Sequence, residues 1–164
     1  MALFKVNTGC REQEVCSLSW AWEKHVPELN TSIFVIPADI VKNGMQRVVI
    51  LNSVAKSVID ELRGQHPEFV FTYKGNRVLT MNNSAWQSAR KRVGLKQVRI
   101  HDLKHTFGRR LRAENVSFED RQDLLGHKSS RITTHYSAAE LGNLIKAAER
   151  VCENDSRKSH AMTF

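Results

Sequence analysis

Apolar positions change their spacing along this chain, and the change divides it into a short strand-rich part and a longer helical part. Met1 to Val6 carries an apolar face that starts abruptly with no capping residue before it, which predicts the end of a helix whose beginning is absent from the chain. Val15, Cys16 and Leu18 fit a short helix from Glu12 to Leu18. Trp20 and Trp22 then alternate with Ala21 and Glu23 in the period-two manner of a strand. After the turn-like Pro27-Glu28-Leu29-Asn30, Ser32 to Ile36 and Arg47 to Leu51 read as second and third strands. Asn43-Gly44 lies between them, and both residues tolerate positive φ, which places Lys42 near the tip of a hairpin.

From Asn52 onward the period lengthens. Asn52 or Ser53 caps a helix to about Arg63 with Val54, Val58, Ile59 and Leu62 on one face. A short apolar run, Phe69 to Phe71, precedes a polar turn from Tyr73 to Arg77. Helical patterns follow at Asn82 to Val93, His101 to about Glu114, Phe118 to Leu125, Arg131 to Tyr136 and Ala138 to Cys152. The last carries an apolar stripe of Leu141, Leu144, Ile145 and Ala148. The pattern predicts an α+β, mainly α fold, with a small three-stranded antiparallel sheet near the N-terminus and a helical body after it. Residues 1–152 form one domain in this reading, and the polar residues 153–164 form a loose tail with little to bury.

Composition narrows the function classes. The 164 residues are 41% hydrophobic, enough for one core, and Lys and Arg outnumber Asp and Glu by 25 to 17. That excess favours a polyanionic partner, because neutralising phosphates releases condensed counterions. No stretch approaches the roughly 20 apolar residues of a membrane span, and no signal peptide is legible, so a cytoplasmic protein is expected. Cys10, Cys16 and Cys152 form an odd set without a CxxC pair, which argues against a disulfide framework or a zinc site.

Four separated pieces remain to be explained together. They are Thr8-Gly9-Cys10-Arg11 with Glu14, the hairpin Lys42, the cluster His101-Asp102-Leu103-Lys104-His105-Thr106-Phe107, and Leu124-Leu125-Gly126-His127 followed by His135-Tyr136. In this order they resemble the motif set of tyrosine recombinases of the phage-integrase type, over nearly the whole chain. The resemblance implies the catalytic set Arg11, Lys42, His101, Lys104, His127 and Tyr136, with Tyr136 as nucleophile. Lys104 departs from the pattern, since the commoner family residue is arginine. The resemblance also implies a separate N-terminal DNA-binding domain, here absent, and a homo-oligomer, a tetramer, on double-stranded DNA.

The chemistry needs these residue types. A phenolic oxygen attacking a phosphodiester builds charge on the non-bridging oxygens, so cations and donors must surround them. Arg11 and Lys104 supply charge, and His101 and His127 supply donors. The leaving 5′ oxygen needs a proton, and a flexible lysine such as Lys42 suits that task. The bond energy stays in a 3′-phosphotyrosine, so no cofactor is expected, and the family mechanism implies no metal. His101 and His105 are four apart on a predicted helix, as in a metal pair, but the residue after His101 is Asp102 rather than the glutamate of HExxH, and Lys104 would repel a cation. Asp102 braces the helix start in this reading. Lys74, Arg77, Arg90, Lys91 and Arg109 are candidate DNA contacts, each of which could equally be a solvated charge. Two other functions stay open on the residues alone: a non-catalytic DNA-binding remnant, and strand passage like that of a type IB topoisomerase.

Overall fold

The computed structural model describes residues 1–127 and 136–160, with side chains described as far as Cys152. The chain opens with helix α1 (Ala2–Thr8), which ends at Gly9 with φ +62°, and α2 (Glu12–Cys16). Strands β1 (Glu23–Val26), β2 (Thr31–Ile36) and β3 (Arg47–Val49) form an antiparallel sheet in that order, with Phe34 opposite both Glu23 and Val49. Then come α3 (Ser53–Leu62), a small hairpin of β4 (Thr72–Tyr73) and β5 (Asn76–Arg77), and helices α4 (Ser84–Arg92), α5 (Ile100–Ala113), α6 (Phe118–Leu125) and α7 (Ala138–His160). A small three-stranded sheet beside a helical body is the architecture expected from the sequence.

Several boundaries differ from expectation for local reasons. Trp20–Trp22 is a single 3₁₀ turn rather than a strand, because the Ser19 hydroxyl accepts from the Ala21 N–H at 3.3 Å and caps it. The first strand therefore starts only at Glu23. In the connection between β2 and β3, Gly44 alone has positive φ, and its N–H closes a turn onto the Val41 carbonyl at 2.8 Å. Asn43 instead uses its side chain to accept from the Met45 N–H. The stretch read as a polar turn, Tyr73 to Arg77, is a hairpin in which Lys74 and Gly75 both take positive φ. Helix α7 continues eight residues past the expected end at Cys152; no Gly or Pro interrupts the sequence there to stop it. The expected helix from Arg131 lies mostly outside the described residues, and Tyr136 itself precedes α7.

Two apolar clusters hold these elements. The first gathers Phe4, Val15, Leu18, Phe34, Ile36, Val49, Ala55 and Ile59 around the sheet. The second packs Phe107 and Leu111 of α5 and Leu124 of α6 against Leu141, Leu144, Ala148 and Val151 of α7. The stripe of α7 thus covers its own core. Asn52 ties the two halves: its carbonyl oxygen caps α3 at the Ala55 N–H, and its amide donates to Asn7 Oδ1 at 3.2 Å and to the Ala148 carbonyl at 3.3 Å.

Candidate active site

The site is assembled where two chain turns meet. The first follows α1. Gly9 takes a left-handed conformation there, and an added Cβ would stand 2.8 Å from the Phe107 ring and 2.9 Å from Leu125. The glycine of the Thr-Gly pair is thus required by both backbone and packing. The chain next enters α2 at Arg11, whose N–H donates to Glu14 Oε2 at 2.6 Å while its guanidinium Nη1 donates to Glu14 Oε1 at 2.8 Å. Glu14 is 1% exposed, so one buried carboxylate fixes both the backbone and the side chain of Arg11.

The second turn ends α6. Gly126, with φ +60°, lets its own N–H reach the Asp123 carbonyl and the following N–H of His127 reach the Gln122 carbonyl, each at 3.0 Å. This closure is the common glycine stop of a helix. It puts His127 directly after the last turn and leaves the carbonyls of residues 124 to 126 aimed at the first turn.

Cations join the two turns carbonyl by carbonyl. Arg47 Nη2 donates to the Thr8 and Leu124 carbonyls, each at 3.2 Å. Lys104 Nζ donates to the Gly9 carbonyl at 2.9 Å and also to the Leu125 carbonyl. Arg11 Nη2 lies 3.4 Å from the Gly126 carbonyl, and Lys5 Nζ donates to the Cys10 carbonyl. Arg47 completes the set by pairing with Glu14. Glu14 is the carboxylate shared by Arg11 and Arg47, and Lys104 and Lys5 bond to carbonyls, so the site carries an excess of positive charge.

That charge shapes the ionisable groups. Burial, followed by the neighbouring Arg47 and Arg11, pulls the Lys104 ammonium down from 10.5 to about 7. His127 is also lowered, by burial first and then by the charges of Lys104, Arg11 and Arg47. His101 is lowered by burial and by His105, whose ring lies edge-on to it with centroids 4.6 Å apart. The Cys10 thiol, fully buried, is raised by burial, so it remains a neutral thiol beside the Thr8–Arg11 turn.

The structure brings Arg11, Lys104 and His127 together, and His101 stands one helical turn before Lys104 on α5. Asp102 braces that helix by accepting from the Arg99 N–H at 2.8 Å. Lys42 is exposed on the turn between β2 and β3. Tyr136 is half-buried against the second apolar cluster, two residues ahead of α7. His135 lies outside the described residues. Among the described residues, no group of three or more His, Cys, Asp or Glu is placed to hold a metal ion. Of the candidate DNA contacts, Lys91 and Arg109 are exposed, Lys74 and Arg77 cover the rings of Tyr73 and Phe69, and Arg90 donates to the Val98 carbonyl at 2.8 Å. Arg90 therefore has a bracing task within the loop before α5. Sequence reasoning missed Arg47 and Lys5. For Arg47 a signal existed, since period two places it on the same face of β3 as the inward Val49.

No helix among the described residues is long and apolar enough to cross a membrane. An integrase of Salmonella phage P22 is 26% identical over 161 aligned positions, and the match covers 90% of this chain and 41% of that protein. The XerH site-specific recombinase, solved bound to its difH substrate in a pre-cleavage complex, is similar over 86% of this chain and 43% of its own, at 24% identity and a TM-score of 0.58. The Tn1549 transposon integrase, solved with circular intermediate DNA, is similar over 85% and 54%, at 17% identity and a TM-score of 0.52. This chain thus spans about half, or less, of the length of these relatives, and its fold is that of tyrosine recombinase catalytic domains. The model of the phage integrase family matches residues 1–141, and the chain belongs to that family.

Proposed function

We propose that this chain carries the catalytic centre of a site-specific DNA recombinase that cuts and rejoins double-stranded DNA through a 3′-phosphotyrosyl intermediate on Tyr136. The observation that carries the reading is the convergence of Arg11, Lys104 and His127, from three distant motifs, on one positively charged site with a single shared carboxylate. Such an excess of preorganised cation and donor groups suits the charge that develops on a scissile phosphate. The two solved relatives were each determined with DNA, which agrees with a DNA substrate.

In the proposed reaction the Tyr136 oxygen forms a bond to phosphorus as the bond to the 5′ oxygen breaks. Arg11 and Lys104 face the non-bridging oxygens. His101 and His127, held neutral at neutral pH by their lowered pKa values, each keep one N–H donor and one acceptor nitrogen, and the acceptor serves the phenolic proton. Lys42 protonates the 5′ oxygen as it departs. Rejoining reverses these steps with a new 5′ hydroxyl, so the scheme needs neither nucleotide nor metal. Copies of the chain act together on DNA, as a tetramer.

A suicide substrate nicked near its recognition site tests the reading. A covalent protein–DNA adduct is expected from the wild type, and Tyr136→Phe should abolish it while leaving DNA affinity nearly intact. Tight binding without an adduct would turn the reading to a non-catalytic DNA-binding remnant; an adduct from the phenylalanine variant would remove Tyr136 as nucleophile.

A further inference from the structure

Arg47 is 3% exposed at the start of β3, an unusual place for a guanidinium, and the hydrogen bonds its side chain makes among the described residues lie within the site. Nη1 pairs with Glu14, the carboxylate that also holds Arg11. Nη2 donates to the Thr8 carbonyl at the end of α1 and to the Leu124 carbonyl at the end of α6. Its stem and Nε pack against Gly126, where an added Cβ would stand 2.7 Å from Nε and 2.8 Å from Cδ. The glycine before His127 is thus shaped around this side chain.

We propose that Arg47 is a positioning residue of the catalytic centre: it locks Arg11 through Glu14 and the His127-bearing end of α6 through the Leu124 carbonyl, so that both reach one phosphate in fixed register. The inference rests on the DNA-cleavage reading for its consequence, though the clamp itself exists without DNA. A guanidinium is required because the acceptors diverge: a carboxylate lies on one side and two carbonyls on another, and a planar fork reaches all three. An ammonium of the same charge sits at one point on a shorter reach. Arg47 does not contact the phosphate in this scheme, so its loss acts on the chemical step more than on binding.

The test compares wild type with Arg47→Met and Arg47→Lys, each checked for folding by thermal unfolding. Single-turnover cleavage of the nicked substrate and the DNA dissociation constant are measured separately. In the DNA-free proteins, NMR follows the Arg11 Nε–Hε signal and the titration of His127. Arg47→Met should bind DNA within about threefold of wild type but cleave about a hundredfold more slowly, the usual scale for a displacement of about 1 Å in an oriented site. It should also raise the His127 midpoint, because a nearby positive charge is gone. Arg47→Lys should restore the His127 midpoint and only part of the rate, and it carries the test if the methionine variant does not fold. Folded variants that cleave within threefold of wild type would overturn the proposal. If wild type itself forms no adduct, the cleavage reading fails, and the clamp is judged on the DNA-free signals: an Arg11 resonance and a His127 midpoint unmoved in the folded variants would overturn it, and their displacement would uphold it.

Discussion

Lys104 should make the stability of this protein depend on pH in an unusual range, and replacing it with methionine should remove that dependence. The ammonium is 5% exposed and faces Arg47 from β3, Arg11 and Glu14 at the start of α2, His127 after α6, and the neutral thiol of Cys10. With the carboxylate outnumbered, its pKa falls from 10.5 to about 7 in the folded protein. Below pH 7 the lysine is charged in both folded and unfolded chains, and its contribution is constant. Between pH 7 and 10.5 the unfolded chain holds a proton that the folded chain has released, so stability rises with pH. Each pKa unit corresponds to about 1.4 kcal/mol, and half the folded protein has already released this proton at pH 7, so raising the pH from 7 to 9 should add about 2 kcal/mol from this group. A neutral amine still has two N–H groups for the Gly9 and Leu125 carbonyls, which keeps the strut in place after the proton leaves.

Lys104→Met keeps the stem and removes both donor and charge. Leaving two carbonyls unpaired costs about 1–3 kcal/mol each, partly offset by removing a buried cation from among others. The informative quantity is the difference in slope rather than the absolute stability, because titrating groups away from the site cancel between the two proteins, while His127, which the Lys104 charge also lowers, adds to the difference in the same direction. Urea unfolding followed by circular dichroism at pH 6, 7, 8 and 9 supplies it. The wild type should gain stability relative to the variant as the pH rises from 6 to 9, most steeply above pH 7. Parallel curves across the whole range, within about 0.5 kcal/mol, would refute the reasoning and return Lys104 to an ordinary ammonium.

Three further outcomes follow from the same contacts. Lys104→Arg should leave single-turnover cleavage within about tenfold of wild type, because the space between the two carbonyls fits an ammonium and is bordered by other cations; a much larger gain would show that the lysine is a defect. Asn52→Ala should lower stability by about 2 kcal/mol in denaturant unfolding, since it removes a helix cap and two interior hydrogen bonds at once, and a loss under about 0.5 kcal/mol would contradict those roles. DNA affinity should fall steeply between 50 and 200 mM salt, by about tenfold or more, as counterion release by several phosphate contacts requires; a flat salt response would refute phosphate contacts as the main source of binding.

The helices and the site motifs were legible because local physics fixes them. Period located α3, α5 and α6 closely, and Asn52 was legible as the cap of α3, since its side chain satisfies a helix N–H that no distant partner is needed to explain. The two glycines of the site were legible as motif letters, but their reasons were not. Gly9 is confined by Phe107 and Leu125, about a hundred residues away, and Gly126 by Arg47. The Trp20–Trp22 segment was misread because alternation of large and small residues also fits a capped 3₁₀ turn, and only the Ser19 hydroxyl distinguishes them. Arg47 and Lys5 escaped because a buried charge contradicts the rule by which cores are read from sequence. Apart from Glu14 beside Arg47, the acceptors of their hydrogen bonds are carbonyls, which no residue name reveals.

Those carbonyls explain why motifs so far apart must act as one unit. A buried cation is stable only if it is paired or hydrogen-bonded, and a carboxylate for each would cancel the field that an anionic substrate needs. This site uses the other solution. Thr8, Gly9 and Cys10 present successive carbonyls to Arg47, Lys104 and Lys5, while Leu124, Leu125 and Gly126 present theirs to Arg47, Lys104 and Arg11. Dipoles hold the cations in place without neutralising them, and Glu14 is the carboxylate that pairs directly with Arg11 and Arg47. The remaining positive potential shows in the lowered pKa values of Lys104 and His127, two groups on different elements. In the proposed function a phosphate would relieve that strain by supplying the missing negative charge. The interior that destabilises the empty site is therefore the source of its affinity for the charged transition state.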